Sequence, residues 1–319
     1  MGRRSTSLVW LFCSLGLVLG GCSSGEPITG RDGITSTGPA SAAFPVTIST
    51  GNGDVTIAER PEHIVSLSPT ATEMLFAVGA GGQVEAVDDQ SNYPNDAPMT
   101  DLSGFEPNVE AIASYEPDLV VYATETGDLG TSLEALGIPT LVLPAAATLD
   151  DVYAQIEDLG AATGHEADAM EVTQELRIQV EMITTSVPPA TERITFYHEL
   201  DDTFYSVTSS TFIGQLYALL GLENIADEAD DTGGGYPQLS AEYIIAADPD
   251  LIFLADTKCC GQSAETVADR PGWDRIAAVE NGNVVSLDDD VASRWGPRVV
   301  EYLQLIANAV SEVEEADAA

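Results

Sequence analysis

The sequence predicts an α/β protein of two lobes, each with a mostly parallel sheet, joined by one long backbone helix. Three observations carry this expectation. Residues 108–123 align without gaps on residues 240–255, so that Glu110 meets Glu242, Ile112 meets Ile244, Pro117-Asp118-Leu119 meets Pro249-Asp250-Leu251 and Ala123 meets Ala255. Other pieces echo in the same order: apolar helices ending at glycine over 70–79 and 211–221, and turn-then-strand segments over 137–143 and 282–287. Between the halves, Ala169, Val172, Leu176, Val180 and Ile183 recur at the +3/+4 spacing of one helix face.

Taken in order, residues 1–21 read as an export signal. Arg3 and Arg4 supply a basic start, and the apolar stretch 8–19 is too short to span a bilayer. Leu19-Gly20-Gly21-Cys22 resembles the bacterial lipobox, which makes Cys22 the lipidated first residue of the mature chain. An ordinary signal cut nearby is the plainer reading, and the arginine pair leaves export by the general or the twin-arginine route open. Residues 22–44, rich in Gly, Ser, Thr and Pro, read as a flexible tether.

The first lobe is expected over 45–164, the connecting helix over 165–187 and the second lobe over 188–319. In each lobe the echoed unit reads as a capped short helix, a Pro-Asp turn and a buried strand rich in β-branched residues. Alternation of strand and helix favours parallel sheets. The connecting helix, interrupted before it at Gly164 and ended by Pro188-Pro189, has about twenty residues and so a length of roughly 30 Å. One rod between two similar lobes leaves a cleft. The last helix, from Pro297, puts Val299, Leu303, Ile306, Val310 and Val313 on one face.

Composition removes several functions. Asp and Glu number 52 against 11 Lys and Arg, a formal net charge of −41. Such a surface repels phosphate backbones, which argues against nucleic-acid binding, and its self-repulsion favours a monomer. No nucleophile elbow, phosphate loop or His-Glu-x-x-His pattern is present, so no enzyme, cofactor or metal site is expected. Ser68 follows the strand 64–67, at the sheet edge where ligands bind in open α/β folds, although a serine there commonly caps a helix. His63 and His165 read as surface or core residues. His198, with Glu199, Asp201 and Asp202, is expected near a cleft edge, better read as a solvated acidic loop than as a metal site. Once Cys13 leaves with the signal and Cys22 carries lipid, Cys259 and Cys260 remain, either as a vicinal disulfide or as two thiols.

The run Ile64-Val-Ser-Leu-Ser-Pro-Thr-Ala-Thr-Glu73, the Asn92-Tyr93-Pro94 segment, the two Glu-helix-Pro-Asp-Leu echoes and Tyr236-Pro-Gln-Leu-Ser-Ala-Glu242 resemble the substrate-binding proteins of ABC importers for iron-siderophores, haem and vitamin B12. The likeness covers nearly all of 60–312. It implies two Rossmann-like lobes joined by one helix, and an extracytoplasmic, membrane-anchored protein that captures a metal chelate and delivers it to a permease dimer. Glu110 and Glu242 match the family's paired docking glutamates, one per lobe; taken singly, each is also a favourable acid in a helix's first turn. Tyr93 and Tyr236 match cleft aromatics of the B12 binders, with Phe105 near another; aromatics at these places also serve as core. Arg294 and Trp295, opening the last helix, are candidates for anionic ligand groups or for salt bridges to the acidic surface. The tyrosines favour a corrinoid over a ferric siderophore or haem. Tyr236 stands where the B12 binders carry tryptophan, and Cys259-Cys260 has no counterpart among them. A surface sensing or adhesion module is the alternative of another class.

Overall fold

The computed structural model describes residues 44–50, 53–187 and 193–317. Residues 1–21, Cys22 and the tether up to residue 43 lie outside the described residues. An antiparallel hairpin, β1 (Val46–Thr50) with β2 (Gly53–Ile57), opens the described chain; the repeat pattern does not foretell it.

The first lobe carries a five-stranded, all-parallel sheet. Its strands are β3 (Ile64–Leu67), β4 (Val84–Asp88), β5 (Met99–Leu102), β6 (Leu119–Tyr122) and β7 (Thr140–Val142), in the order β5-β4-β3-β6-β7. The second lobe has a parallel sheet of four: β8 (Thr195–Glu199), β9 (Glu223–Asn224), β10 (Leu251–Leu254) and β11 (Val284–Ser286), in the order β11-β10-β8-β9. Helices cover both faces of each sheet, so the inner strands are apolar throughout rather than alternating: β3, β6 and β10 are buried at every residue.

The echo is structural in detail. α2 (Val109–Ala113) is capped by the Asn108 side chain and α7 (Ala241–Ala247) by Ser240. Glu116 and Asp248, at matched places, both adopt left-handed backbone with φ of 50° and 49°, which turns the chain into the Pro-Asp step. Asp118 then accepts the backbone N–H groups of Glu62 and His63 at 2.8 and 2.9 Å, ahead of β3. Asp250 accepts the Thr195 N–H and hydroxyl, both at 2.8 Å, at the start of β8. Each aspartate thus ties the start of its lobe's first sheet strand to the strand that follows the echoed helix.

α4 (Leu149–Thr163) ends at Gly164 in left-handed conformation, and α5 (Glu166–Ser186) follows. The two approach so closely that a Cβ on Gly160 would lie 2.3 Å from that of Ala169. Ala169 and Leu176 of α5 enter the core of the first lobe, whereas Ile183 and the following Val187 enter the core of the second. One continuous helix is therefore built into both hydrophobic cores, which resists large hinge motion. The last helix, α11 (Val299–Asp317), closes the second core with Val299, Leu303, Ile306 and Val310. Among the described residues no helix is long and apolar enough to cross a membrane.

Candidate ligand cleft

In each sheet the chain starts in the middle, builds outward to one side, and then returns to the other. That reversal lies between β3 and β6 in the first lobe and between β8 and β10 in the second. Ligands of open α/β sheets bind outside the carboxyl ends of the strands at such points. Loops from these edges meet at the lobe boundary. Asn92, after β4, donates to Asp290 of α10 (Asp289–Ser293) at 3.0 Å. Arg294 donates to the Gln90 carbonyl at 3.0 Å and to Asp290 at 2.8 Å.

The centre of this seam is Glu73 of α1 (Pro69–Ala77), whose side chain is 1 % exposed. It accepts from Arg294 Nη1 at 2.9 Å and from Arg298 Nε at 2.9 Å and Nη2 at 2.5 Å. Trp295 Nε1 donates to Gln155 of α4 at 3.1 Å. Arg294 is thus held in the lobe junction by ion pairs to Glu73 and Asp290, and Trp295 by a hydrogen bond to Gln155. Ser68 is similarly occupied: it is buried and caps α1, accepting from the Ala71 N–H at 3.3 Å.

The aromatic candidates are open. Tyr93 is 42 % exposed, Phe105 79 % and Tyr236 54 %, on loops after β4, after β5 and ahead of α7. The guanidinium of Arg298 lies 4.3 Å from the centre of the Tyr93 ring, a cation–π contact that orients the ring from beneath. Tyr205, also exposed, bridges to Gln238 beside Tyr236. It escapes sequence reading because no motif marks it, although its place after a strand's carboxyl end was a usable signal. The docking candidates are both exposed, each at the second position of its helix, Glu110 in α2 and Glu242 in α7.

Beneath the second lobe's edge lies a buried polar cluster. Glu199 ends β8 fully buried and takes both terminal nitrogens of Arg270, at 2.6 and 2.5 Å. Arg270 in turn covers the Trp273 ring at 4.5 Å. Asp256, two residues beyond β10, is fully buried beside Glu199. Burial, then the charge of Glu199, push its carboxyl up to about 7. His198 corrects the sequence expectation: it lies within β8, fully buried, with Nδ1 2.8 Å from the Tyr217 hydroxyl. Burial lowers it to about 3, so it is neutral. His63 and His165, read as surface or core residues, both line one groove of about 490 Å³. Among the described residues no group of three or more His, Cys, Asp or Glu is placed to hold a metal ion. Cys259 and Cys260 are exposed, with their sulfurs 2.6 Å apart.

A groove of about 680 Å³ between α4, α5 and α6 (Phe212–Leu219), lined by Leu149, Tyr153, Val180 and Phe212, holds none of the candidate ligand residues. It lies among helices, not at strand ends.

Two parallel-sheet lobes tied by a shared helix, with open aromatics at their strand ends, define a solute-binding protein. A family model described as "Periplasmic binding protein" matches residues 64–291, and the chain belongs to that family. It is 31% identical over 313 residues to the uncharacterized ABC transporter substrate-binding lipoprotein YvrC of Bacillus subtilis (strain 168), covering 95% of this chain and 96% of that one. It is 32% identical over 276 residues to the cobalamin-binding protein of Halobacterium salinarum (strain ATCC 29341 / DSM 671 / R1), covering 84% of this chain and 74% of the relative. Among solved structures, one from Staphylococcus epidermidis ATCC 12228, described as a possible iron-binding (periplasmic solute-binding) protein, superposes with a TM-score of 0.68 at 27% identity. That match covers 79% of this chain and 99% of the other.

Proposed function

We propose that this protein captures a metal chelate, a corrinoid in preference to a ferric siderophore or haem, between its lobes and delivers it to the permease of an ABC importer. The observation that carries the reading is the set of exposed rings on both lobes, Tyr93 and Phe105 on one and Tyr236 on the other, borne by loops at the ligand-binding edges of the sheets. Flat aromatic faces suit a planar macrocycle. The cobalamin-binding relative supports the corrinoid, and the iron-binding description of the Staphylococcus structure supports the ferric chelate as second reading.

The mechanism is capture without chemistry. The shared helix and the Glu73 seam limit closure, so affinity comes from a preformed cleft more than from large motion. Glu110 and Glu242 then engage arginines on the two permease subunits, one from each lobe. Cys22 carries the lipid that holds the protein, as a monomer, on the outer side of the membrane; the lipoprotein naming of YvrC supports this. Titration of the purified protein with cobalamin, a ferric siderophore and haem, followed by quenching of Trp273 and Trp295, tests the proposal. Tightest binding is expected for cobalamin. Binding of a small polar nutrient with none of the three chelates would overturn it.

A further inference from the structure

Around the seam and the carboxyl ends of the second lobe's strands, the groups suited to a ligand's anion already hold carboxylates of the protein. Arg294 and Arg298 share Glu73, and Arg294 also takes Asp290. Arg270, which follows α8 (Ala264–Ala268), is closed on Glu199 by two bonds at 2.6 and 2.5 Å. Lys258, the chain's single lysine, reaches Asp288 and Asp290, both at 2.7 Å. The successive backbone N–H groups of Thr257, Lys258 and Cys259 make an anion cradle after β10, and Asp289 fills it at 2.9, 3.0 and 3.0 Å. Five carboxylates thus face four cations. The side chains of Glu73 and Glu199 are 1% and 0% exposed, so neither can swing into water and yield its arginine. Among the described residues the remaining cations stand elsewhere: Arg60 and Arg193 ahead of β3 and β8, Arg177 on α5, and Arg275 ahead of α9 (Ala277–Glu280).

We propose that the cleft selects its chelate by charge, taking a neutral or cationic one and rejecting one that carries uncompensated carboxylate or phenolate groups. This charge selection rests on the chelate reading and narrows it. A ligand anion entering the cleft would leave water without meeting a free cation. Breaking a buried pair to obtain one would strand the displaced acid. The loops that carry the rings add to the penalty. Exposed acids that make no ion pair among the described residues share those loops: Asp96 with Tyr93, Glu106 with Phe105 and Asp231 with Tyr236. Like charges around a low-dielectric cleft reinforce one another's field. A corrinoid fits, because its side chains are amides and its phosphodiester is offset by the charge of the cobalt centre. A ferric hydroxamate bearing an ammonium fits equally. A haem with its propionates and a ferric tris-catecholate do not.

Calorimetric titration of the purified protein compares charge within one chelate frame. Cyanocobalamin is set against its derivative with one side-chain amide hydrolysed to a carboxylate, and against that acid capped as an aminoethyl amide. Ferrioxamine B, a cationic ferric hydroxamate, is set against its N-acetyl and N-succinyl forms. In whichever frame binds, the carboxylate member should show a Kd about tenfold or more above the neutral member, with the amine member equal or tighter. High salt should narrow the gap. Glu106→Lys with Asp231→Lys, which gives two of the ring-bearing loops a free cation, should bring the carboxylate member to within about threefold of the neutral one. Equal affinities across a frame, tighter binding of the carboxylate member, or a gap that the double variant leaves unchanged would overturn the charge selection while chelate capture stands. Binding of no member of either frame would overturn the chelate reading and the charge selection with it.

Discussion

Arg298, at the start of the last helix, and Glu73, in the first, meet across the lobe boundary in a two-point ion pair, Nε to Oε2 at 2.9 Å and Nη2 to Oε1 at 2.5 Å. Arg294 adds a third bond to the same carboxylate, so one buried acid is shared by two cations from the opposite lobe, with Asp290 as the second acid on Arg294. The pair also touches Tyr93, whose ring lies over the Arg298 guanidinium.

Breaking a buried ion pair from one side leaves uncompensated charge. Glu73→Ala leaves the largely buried Arg298, at 13% side-chain exposure, without its carboxylate, while Arg294, at 7%, keeps Asp290, and should cost about 3 kcal/mol of stability in urea titration. A loss below about 1 kcal/mol would mean that water or other acids take over the clasp.

Tyr236 is presented by a tight loop. Asp230 accepts the N–H groups of Gly235 at 2.7 Å and Gly234 at 3.2 Å, and Gly235 sits at φ +82° where a Cβ would come 2.8 Å from Thr211 Cγ2. Tyr236→Ala should raise the chelate Kd about tenfold, the ~1.4 kcal/mol appropriate to a lost ring contact. Asp230→Ala should raise it less, with the ring retained but less fixed. Calorimetric titration of both variants checks the order.

Asp256 gives a pH dependence of defined sign. Its folded pKa of about 7 lies above the ordinary 3.8. Between these values the folded chain holds a proton that the unfolded chain has lost, so this group's contribution falls as pH rises from about 4 to 7. Asp256→Asn, which removes the charge, should flatten that part of the stability profile and gain about 1 kcal/mol or more at pH 8. An unchanged slope would show that the carboxyl ionises freely.

The paired glutamates predict a separation of binding from transport. Glu110→Arg with Glu242→Arg changes exposed residues and should leave chelate affinity within about twofold while abolishing uptake in whole cells. Each single change should reduce uptake partially. Unimpaired uptake by the double variant would favour a sensing or adhesion role.

Much of this organisation is legible in the sequence because it is local or repeated. The echo 108–123 on 240–255 fixes two lobes, since matched residues make matched bonds, as Asp118 and Asp250 do. The periodicity of Ala169 to Ile183 marks the joining helix, because burial in both cores demands an apolar stripe. What was hidden depends on long-range contact. Arg294 has the composition of a ligand residue, and only the fold shows Glu73, 221 positions away in sequence, occupying its guanidinium. His198 looks like part of an acidic loop, yet β8 runs through it to Glu199 and buries it. Hairpin β1–β2 lies outside the repeat and carries no echo.

Capture between the lobes is tested most directly by hydrogen exchange with and without saturating cobalamin. The account predicts slowed exchange in segments 91–93 and 104–106 of one lobe together with 203–206 and 234–238 of the other. Protection confined to one lobe, or to the groove between α4, α5 and α6, would contradict it.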